Sequence, residues 1–342
     1  KAGGWFGENE FGRAGPNGIA IDSQRNIYAL DAGGSRVQKF SSFGLFITQW
    51  GGKGSGPGEF YYGKDHGGPM GIAIAGNEVF VADSRNGRIQ VFDFDGNFKR
   101  QFGAPGKGMG ALGRPMNLKI AKGELYVAEY WNDRIQVFGL VGAPRRIIGG
   151  KGSGPGQFKA PGGIAVAPNG DLYVADFHNQ RIQQLRTDGK FIRQWGTTGK
   201  SGIWSGEFNY PTDVAVGAKG VLYVADGYND RIQAFGVDGR FLGKWGGPFA
   251  ANIWGPFRGW FVTVTGLAVD GAGNVFAADF YNHRVQKFNP DGAFLTAFGD
   301  KGEGPGRLTY AMGVAVAADG SVFVTDFGNH RITKWRPGKT GG

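Results

Sequence analysis

Seven carboxylate–guanidinium pairs at one fixed spacing hold the densest chemistry in this chain. Six run from Asp to Arg with four residues between: Asp31 to Arg36, Asp83 to Arg88, Asp176 to Arg181, Asp226 to Arg231, Asp279 to Arg284 and Asp326 to Arg331. The seventh, Glu129 to Arg134, has Glu in place of Asp. A carboxylate beside a guanidinium can serve catalysis or structure, and repetition decides between them. Seven copies are a structural device: a partly buried Asp accepts backbone N–H groups in its loop while the Arg bridges to it. The Asn three residues on (Asn86, Asn132, Asn179, Asn229, Asn282, Asn329) is expected at a left-handed turn position.

Other candidate chemistry is sparse. The four histidines are His66, His178, His283 and His330. His283 and His330 share a sextet position and are expected to approach each other, but a zinc site needs three convergent ligands. GTTGKS at Gly196–Ser201 looks like part of a phosphate loop, yet Gln194 stands where the first Gly belongs and no helix follows. There is no G-x-S-x-G elbow and no H-E-x-x-H pair. No cofactor is expected, and the reading leans away from an enzyme.

The elements follow from the same sextets. Their first residues are 52, 46, 47, 50, 53 and 47 apart. A period near fifty with strand patterning inside each unit indicates a β-propeller. In the unit around Asp176, strands are predicted at Gly163–Ala167, Asp171–Ala175, Arg181–Leu185 and Lys190–Trp195. Asn169-Gly170 and Asp188-Gly189 mark tight turns, and Asp95-Gly96, Asp238-Gly239 and Asp291-Gly292 repeat the second of these. Pro16, Pro69, Pro115, Pro161 and Pro211 precede first strands, where a missing N–H costs the ladder nothing. Aromatic-Gly ends the fourth strand at Trp50, Phe102, Trp195, Trp245 and Phe298, with Ile148 as the exception. The last unit stops after three strands, at Trp335, and Gly3–Gly7 reads as the missing fourth. The fold class is therefore all-β: a seven-bladed β-propeller of four-stranded antiparallel blades, one domain over 1–342, its ring closed by the N-terminal segment.

The pattern G-I-A-V, L-Y-V-A-D, x-x-N-x-R-I-Q-x-F resembles the NHL repeat family of β-propellers from about Gly18 to Trp335. The resemblance is specific for fold and weakly specific for function. The family includes RNA-binding and protein-binding domains, lyases and bacterial secreted proteins. Its amidating lyases converge histidines on the propeller axis, and no three His lie in first strands here. The same scarcity weakens a likeness to streptogramin lyases, which use His with acidic partners. Lactonase-like propellers bind a cation near the axis, which makes Asn117 and Asp213 the metal candidates, with Lys119 two residues beyond Asn117. Met70, Met116 and Met312 form a neighbouring column, better read as gap fillers than as soft-metal ligands.

Composition narrows the partners. The formal charge is +10, which favours an anionic partner, with solubility as the plain alternative. Cysteine is absent, so no disulfide or thiolate site exists. Glycine, 66 residues, is placed periodically, which argues against a disordered low-complexity chain. No apolar run reaches the ~20 residues of a membrane helix. The chain starts at Lys1, and with the family resemblance this sets the expectation of a bacterial protein, secreted or periplasmic.

Antiparallel blades put the second-to-third loops and the blade-to-blade loops on one face, and the tight turns on the other. The loop-rich face is where binding is expected. Lys53, Lys107, Lys151, Lys200 and Lys301 recur in its blade-to-blade loops, most in a G-K-G-x-G-P-G setting that can form an anion nest. Trp131, Tyr228 and Tyr281 come from second-to-third loops, and Trp254, Arg258 and Trp260 from the longest blade-to-blade loop. Phe177, Phe280 and Phe327 share one column and are expected to pack between blades. The functional expectation is a non-catalytic binding or scaffold module for a protein or an anionic polymer, polysaccharide or nucleic acid, with a place in a larger assembly. The alternatives are a metal-dependent hydrolase or lyase with an axial site, and an RNA-binding domain.

Overall fold

Seven four-stranded antiparallel sheets make up the computed structural model, which describes residues 2–6, 15–61 and 68–336. Blades 1 to 6 are continuous in sequence, over 16–51, 71–102, 115–149, 161–195, 211–246 and 264–298. Blade 7 takes three strands from 311–335, and its fourth is Ala2–Phe6. That strand pairs antiparallel with Arg331–Trp335, Ala2 opposite Trp335 and Phe6 opposite Ile332, so the ring closes as expected. Gly7 and His66 lie outside the described residues.

Blade 4 shows how the local sequence sets the elements. Its strands are Pro161–Val166, Leu172–Asp176, Arg181–Leu185 and Phe191–Trp195. The first begins at the proline itself. Pro161 faces Asp176, and the register shifts before Ile164, which confines the missing N–H to an irregular strand end. Second strands are buried on both sides, so LYVAD reads as a nearly continuous apolar run. Among the described residues helix is confined to single 3-10 turns, most of them following the sextet carboxylate.

The core is distributed, one buried cluster between each pair of neighbouring blades. The aromatic that ends each fourth strand lies against a third-strand residue of the next blade. Ring centroids are 5.7 Å apart for Trp50 and Phe92, 5.3 Å for Trp195 and Phe235, and 4.7 Å for Phe298 and Trp335. Where Ile148 replaces the aromatic, it packs in the cluster that holds Leu185. A fully buried column from the blade-to-blade loops (Phe60, Phe158, Phe208, Phe261, with Leu112 nearly so) joins these clusters, each side chain contributing about 1.5–3 kcal/mol. The turn glycines serve this packing as well as the turn. Gly96 has φ +87°, and a Cβ there would come 2.6 Å from Trp50 of the preceding blade.

Candidate binding face

The repeated sextet builds the loop-rich face. In blade 4, Arg181 is buried and gives Nε to Asp176 Oδ2 at 2.7 Å. Its Nη1 donates to Ser153 O (2.9 Å), and its Nη2 to Gly154 O (2.9 Å) and Gln157 O (2.7 Å) of the incoming loop. Asn179 holds Gly152 O, and Gln183 both donates to Gln157 O and accepts the Gly156 N–H. Asp176 Oδ1 accepts the Lys159 N–H at 2.7 Å. Arg88, Arg134, Arg231, Arg284 and Arg331 grip their incoming loops in the same way. The pairs are therefore structural, as read. In blade 1 Asp31 Oδ1 accepts the Gly34 N–H of its own loop at 2.8 Å, as expected, whereas the other six carboxylates take an N–H from the loop entering the blade. Burial pushes the Asp279 carboxyl up to about 6 against the pull of Arg284. Asp176, Asp226 and Asp326 are raised by burial too.

One further positional expectation changes. The Asn does not take the left-handed conformation; the residue after it does, at Asp133, Gln180, Asp230, His283 and His330, with φ of 52–59°. The Asn is kept for its amide, which spans the carboxylate and a loop carbonyl. The left-handed residue reaches the next blade. Asp133, Gln180 and Asp230 accept the N–H of Ala160, Tyr210 and Thr263 at 2.6–2.7 Å. His283 Nδ1 accepts that of Tyr310 at 3.0 Å, so this nitrogen is engaged in a blade-to-blade bond. Burial and then Lys301 lower the His283 pKa.

All five lysines are exposed on this face, but they do not form one column. Lys53, Lys151 and Lys301 are equivalent, each bridging in parallel to the buried residue that ends its loop (Phe60, Phe158, Leu308). In blade 3 that bridge belongs to Pro105, leaving Lys107 two residues on. Lys200 bridges to Thr197 within a longer loop. The glycine-lysine pairs were aligned by type, whereas the fold aligns the loops by their buried ends.

The aromatics divide similarly. Trp131, Tyr228, Tyr281, Trp254 and Arg258 are exposed. Trp260 is half-buried, edge-on to Phe257 at 4.8 Å, and its carbonyl serves Arg284 and Gln286 as Gln157 O serves Arg181 and Gln183. It therefore shares the column of Gln157. Phe177 and Phe280 pack between blades as expected, each 5.0 Å from Tyr210 or Tyr310 of the next blade. Sequence reasoning missed those two tyrosines, and also Arg85 and Arg114. These arginines lie over one indole: Arg85 is 4.7 Å and Arg114 5.4 Å from the Trp131 ring, and Arg114 is 5.3 Å from Tyr130. Burial and then the charge of Arg85 lower the Arg114 pKa. Trp204, 72% exposed, was also missed.

At the axis, Asn117 and Asp213 do line one cavity, of about 200 Å³, with Asn17, Lys119, Met70 and Met116. Asp213 Oδ2 accepts the Leu267 N–H at 3.0 Å and Oδ1 that of Val214 at 2.9 Å. Burial raises its pKa, and Lys119 opposes the rise. A Cβ at residue 163 would come 2.7 Å from Asp213 Cα, so Gly163 makes the room. Met70 fills space and takes a weak bond from Asn17 Nδ2 at 3.4 Å. Among the described residues no three His, Cys, Asp or Glu gather as metal ligands. No described helix is long and apolar enough to cross a membrane.

Residues 67–92, 158–185, 208–235, 261–288 and 308–335 each match the NHL repeat. The chain is an NHL-repeat propeller. Its curated relatives match over short stretches. Peptidyl-glycine alpha-amidating monooxygenase of Mus musculus is 36% identical over 88 residues, 23% of this chain and 8% of that protein. Protein brain tumor of Drosophila melanogaster is 55% identical over 40 residues, 11% of this chain and 4% of that protein. Among solved structures, the WD40 propeller domain of Doa1 is similar with TM-score 0.71 and 11% identity, over 99% of this chain and 97% of that one. A streptogramin B lyase is similar with TM-score 0.69 and 13% identity, over 96% and 95%. At such identities the likeness is one of fold.

Proposed function

We propose that this NHL propeller is a non-catalytic binding module that holds a protein or an anionic polymer on its loop-rich face. The observation that carries the reading is the half-exposed Trp131 indole, over which the guanidinium groups of Arg85 and Arg114 both lie. A half-exposed indole grouped with two guanidinium groups suits contact with a partner that carries negative charge. Lys53, Lys107, Lys151, Lys200 and Lys301 extend the positive field around the same face. The sextet network supports the reading in a second way: it rigidifies every incoming loop it holds, so the exposed side chains are presented without a large ordering cost. The axial cavity is the weaker candidate for chemistry, because among the described residues Asp213 is the one carboxylate in its lining.

The test is fluorescence anisotropy of the full chain with labelled heparin, labelled single-stranded RNA and labelled polyglutamate, each at two salt concentrations. Lysine-to-alanine replacements should weaken binding modestly and lower the log–log salt slope, by roughly one unit per lost phosphate contact for the RNA. Trp131→Ala should cost about 1–3 kcal/mol with little change in slope. Asp188→Ala and Asp238→Ala, on the tight-turn face, should change neither. Equal losses from both faces would refute the assignment.

A further inference from the structure

Between blades 5 and 6 the loop-rich face carries aromatic side chains at positions the fold fills with glycine elsewhere. The sextet arginine's Nη2 takes a loop-tip carbonyl in each of six blades. In four of them the residue supplying it is glycine: Gly56, Gly108, Gly154 and Gly304. In the loops entering blades 5 and 6 it is Trp204 and Phe257. None of the six has a positive φ, so the position admits any residue and only its carbonyl is required. The side chains of Trp204 and Phe257 are 72% and 62% exposed, so they contribute little to the core.

The two aromatics belong to one patch. Arg231 Nη1 donates both to Ile203 O and to Ala250 O, 2.7 Å, which joins the loop entering blade 5 to the long loop that leaves it. The long loop contributes Phe249, 88% exposed, with Ile253 and Trp254 also exposed. Phe249, Ala250 and Asn252 have φ of +57°, +43° and +57°, a run of non-glycine residues in the left-handed region. Such a run costs energy and persists only where the surroundings impose it. Here the Asn252 amide, oriented to donate, ties the loop to Tyr228 O (3.0 Å) and Asp230 Oδ2 (3.2 Å). The result is a fixed platform of Ile203, Trp204, Phe249, Ile253, Trp254 and Phe257.

The loops that carry this platform have a positive balance of charge. Residues 197–208 and 244–263 hold Lys200, Lys244 and Arg258, and a single carboxylate, Glu207. Glu207 Oε2 accepts the Trp204 N–H at 3.2 Å. Apolar and aromatic anchors inside a cationic rim match the anatomy of a protein interface, in which large side chains enter pockets and charge sets the partner. Two isoleucines and a fully projecting Phe offer nothing specific to a sugar or a phosphate backbone.

Resting on the binding reading above, we propose that the platform between blades 5 and 6 docks an acidic protein segment that inserts apolar side chains between Trp204, Phe249, Trp254 and Phe257. The test uses the full chain and a displayed library of random twelve-residue peptides. The key variant, Trp204→Gly with Phe257→Gly, restores the residue four other loops carry, so its melting temperature should match the parent. Selection on the parent should enrich peptides that combine Asp or Glu with Leu, Phe, Met or Trp. A selected peptide should bind the double variant tenfold or more weakly, and Lys200→Ala or Arg258→Ala should weaken it less and flatten its salt dependence. Enrichment without acidic residues, equal binding by the double variant, or a fall in that variant's melting temperature would each overturn the proposal. If the Trp131 and lysine variants still lose heparin or RNA binding, the general reading survives this failure. If they do not, both fall.

Discussion

Arg181→Ala is the sharpest probe of the sextet network. The side chain is 1% exposed and its counter-ion Asp176 is fully buried. Besides the ion pair and three loop carbonyls, Nη1 reaches Gln194 Oε1 at 2.8 Å and Thr198 Oγ1 at 2.9 Å. Truncation leaves Asp176 charged and buried, with Asn179, Gln183 and the Lys159 N–H as remaining donors. Breaking a buried pair on one side costs about 3–5 kcal/mol. The unfolding entropy of about 2.1 cal/mol/K per residue becomes about 0.7 kcal/mol/K for this chain, so the melting temperature should fall by about 4–7 °C. The comparison is Arg36→Ala, whose side chain is 27% exposed although Asp31 is as buried as Asp176, and which should therefore lose less than Arg181→Ala. Differential scanning calorimetry on both variants makes the measurement. Equal shifts, or no shift for Arg181→Ala, would refute the view that these arginines clamp the loops from a buried position.

Deleting residues 1–7 removes the strand Ala2–Phe6 and opens the edge of Arg331–Trp335, so the truncated chain should melt earlier and self-associate, read by light scattering with size-exclusion chromatography. Gly96→Ala puts a methyl group into Trp50 of the neighbouring blade at φ +87°, and urea denaturation should show a loss of about 1–3 kcal/mol. Acid should destabilise the fold in a defined window. Hydrogen bonds from Arg100, with Lys99 secondary, lower Glu78 to about 2, and those of Arg146 do the same for Glu124, each from an ordinary 4.5. A depressed carboxylate stabilises fully above its unfolded value, so this contribution is complete above about pH 4.5 and is lost as the pH falls towards 2. Glu78→Gln and Glu124→Gln should flatten the stability profile there; an unchanged slope would contradict the assignment.

The blades were legible because each is written by a repeat whose every member has a backbone duty. The carboxylate, amide, guanidinium and closing aromatic recur at fixed spacing, and the N-terminal strand could be placed by subtraction. What eluded the sequence was register inside the loops. Gly199-Lys200 looks like Gly150-Lys151, but the loop entering blade 5 is longer and the fold counts back from the buried Phe208, not forward from the glycine. Counting back places Trp204 on Gly154 and Trp260 on Gln157, the two positions that matter on this face. The Arg85–Trp131–Arg114 arrangement was hidden for another reason: it joins side chains from two blades, and adjacency between blades has no trace in linear spacing.

Ring closure also fixes the order in which the molecule can be finished. Ala2–Phe6 is made before the six continuous blades, whereas its partner Arg331–Trp335 is made after them. Blades 1 to 6 can each form from a contiguous stretch as it emerges, since their four strands are consecutive. Through that whole interval the first strand waits unpaired, and the cluster between blades 1 and 7 stays open. Pairing of these two segments is therefore the step that closes the ring. A chain that stops early leaves both flanks of the arc exposed, and is marked for aggregation or degradation until the final strand arrives.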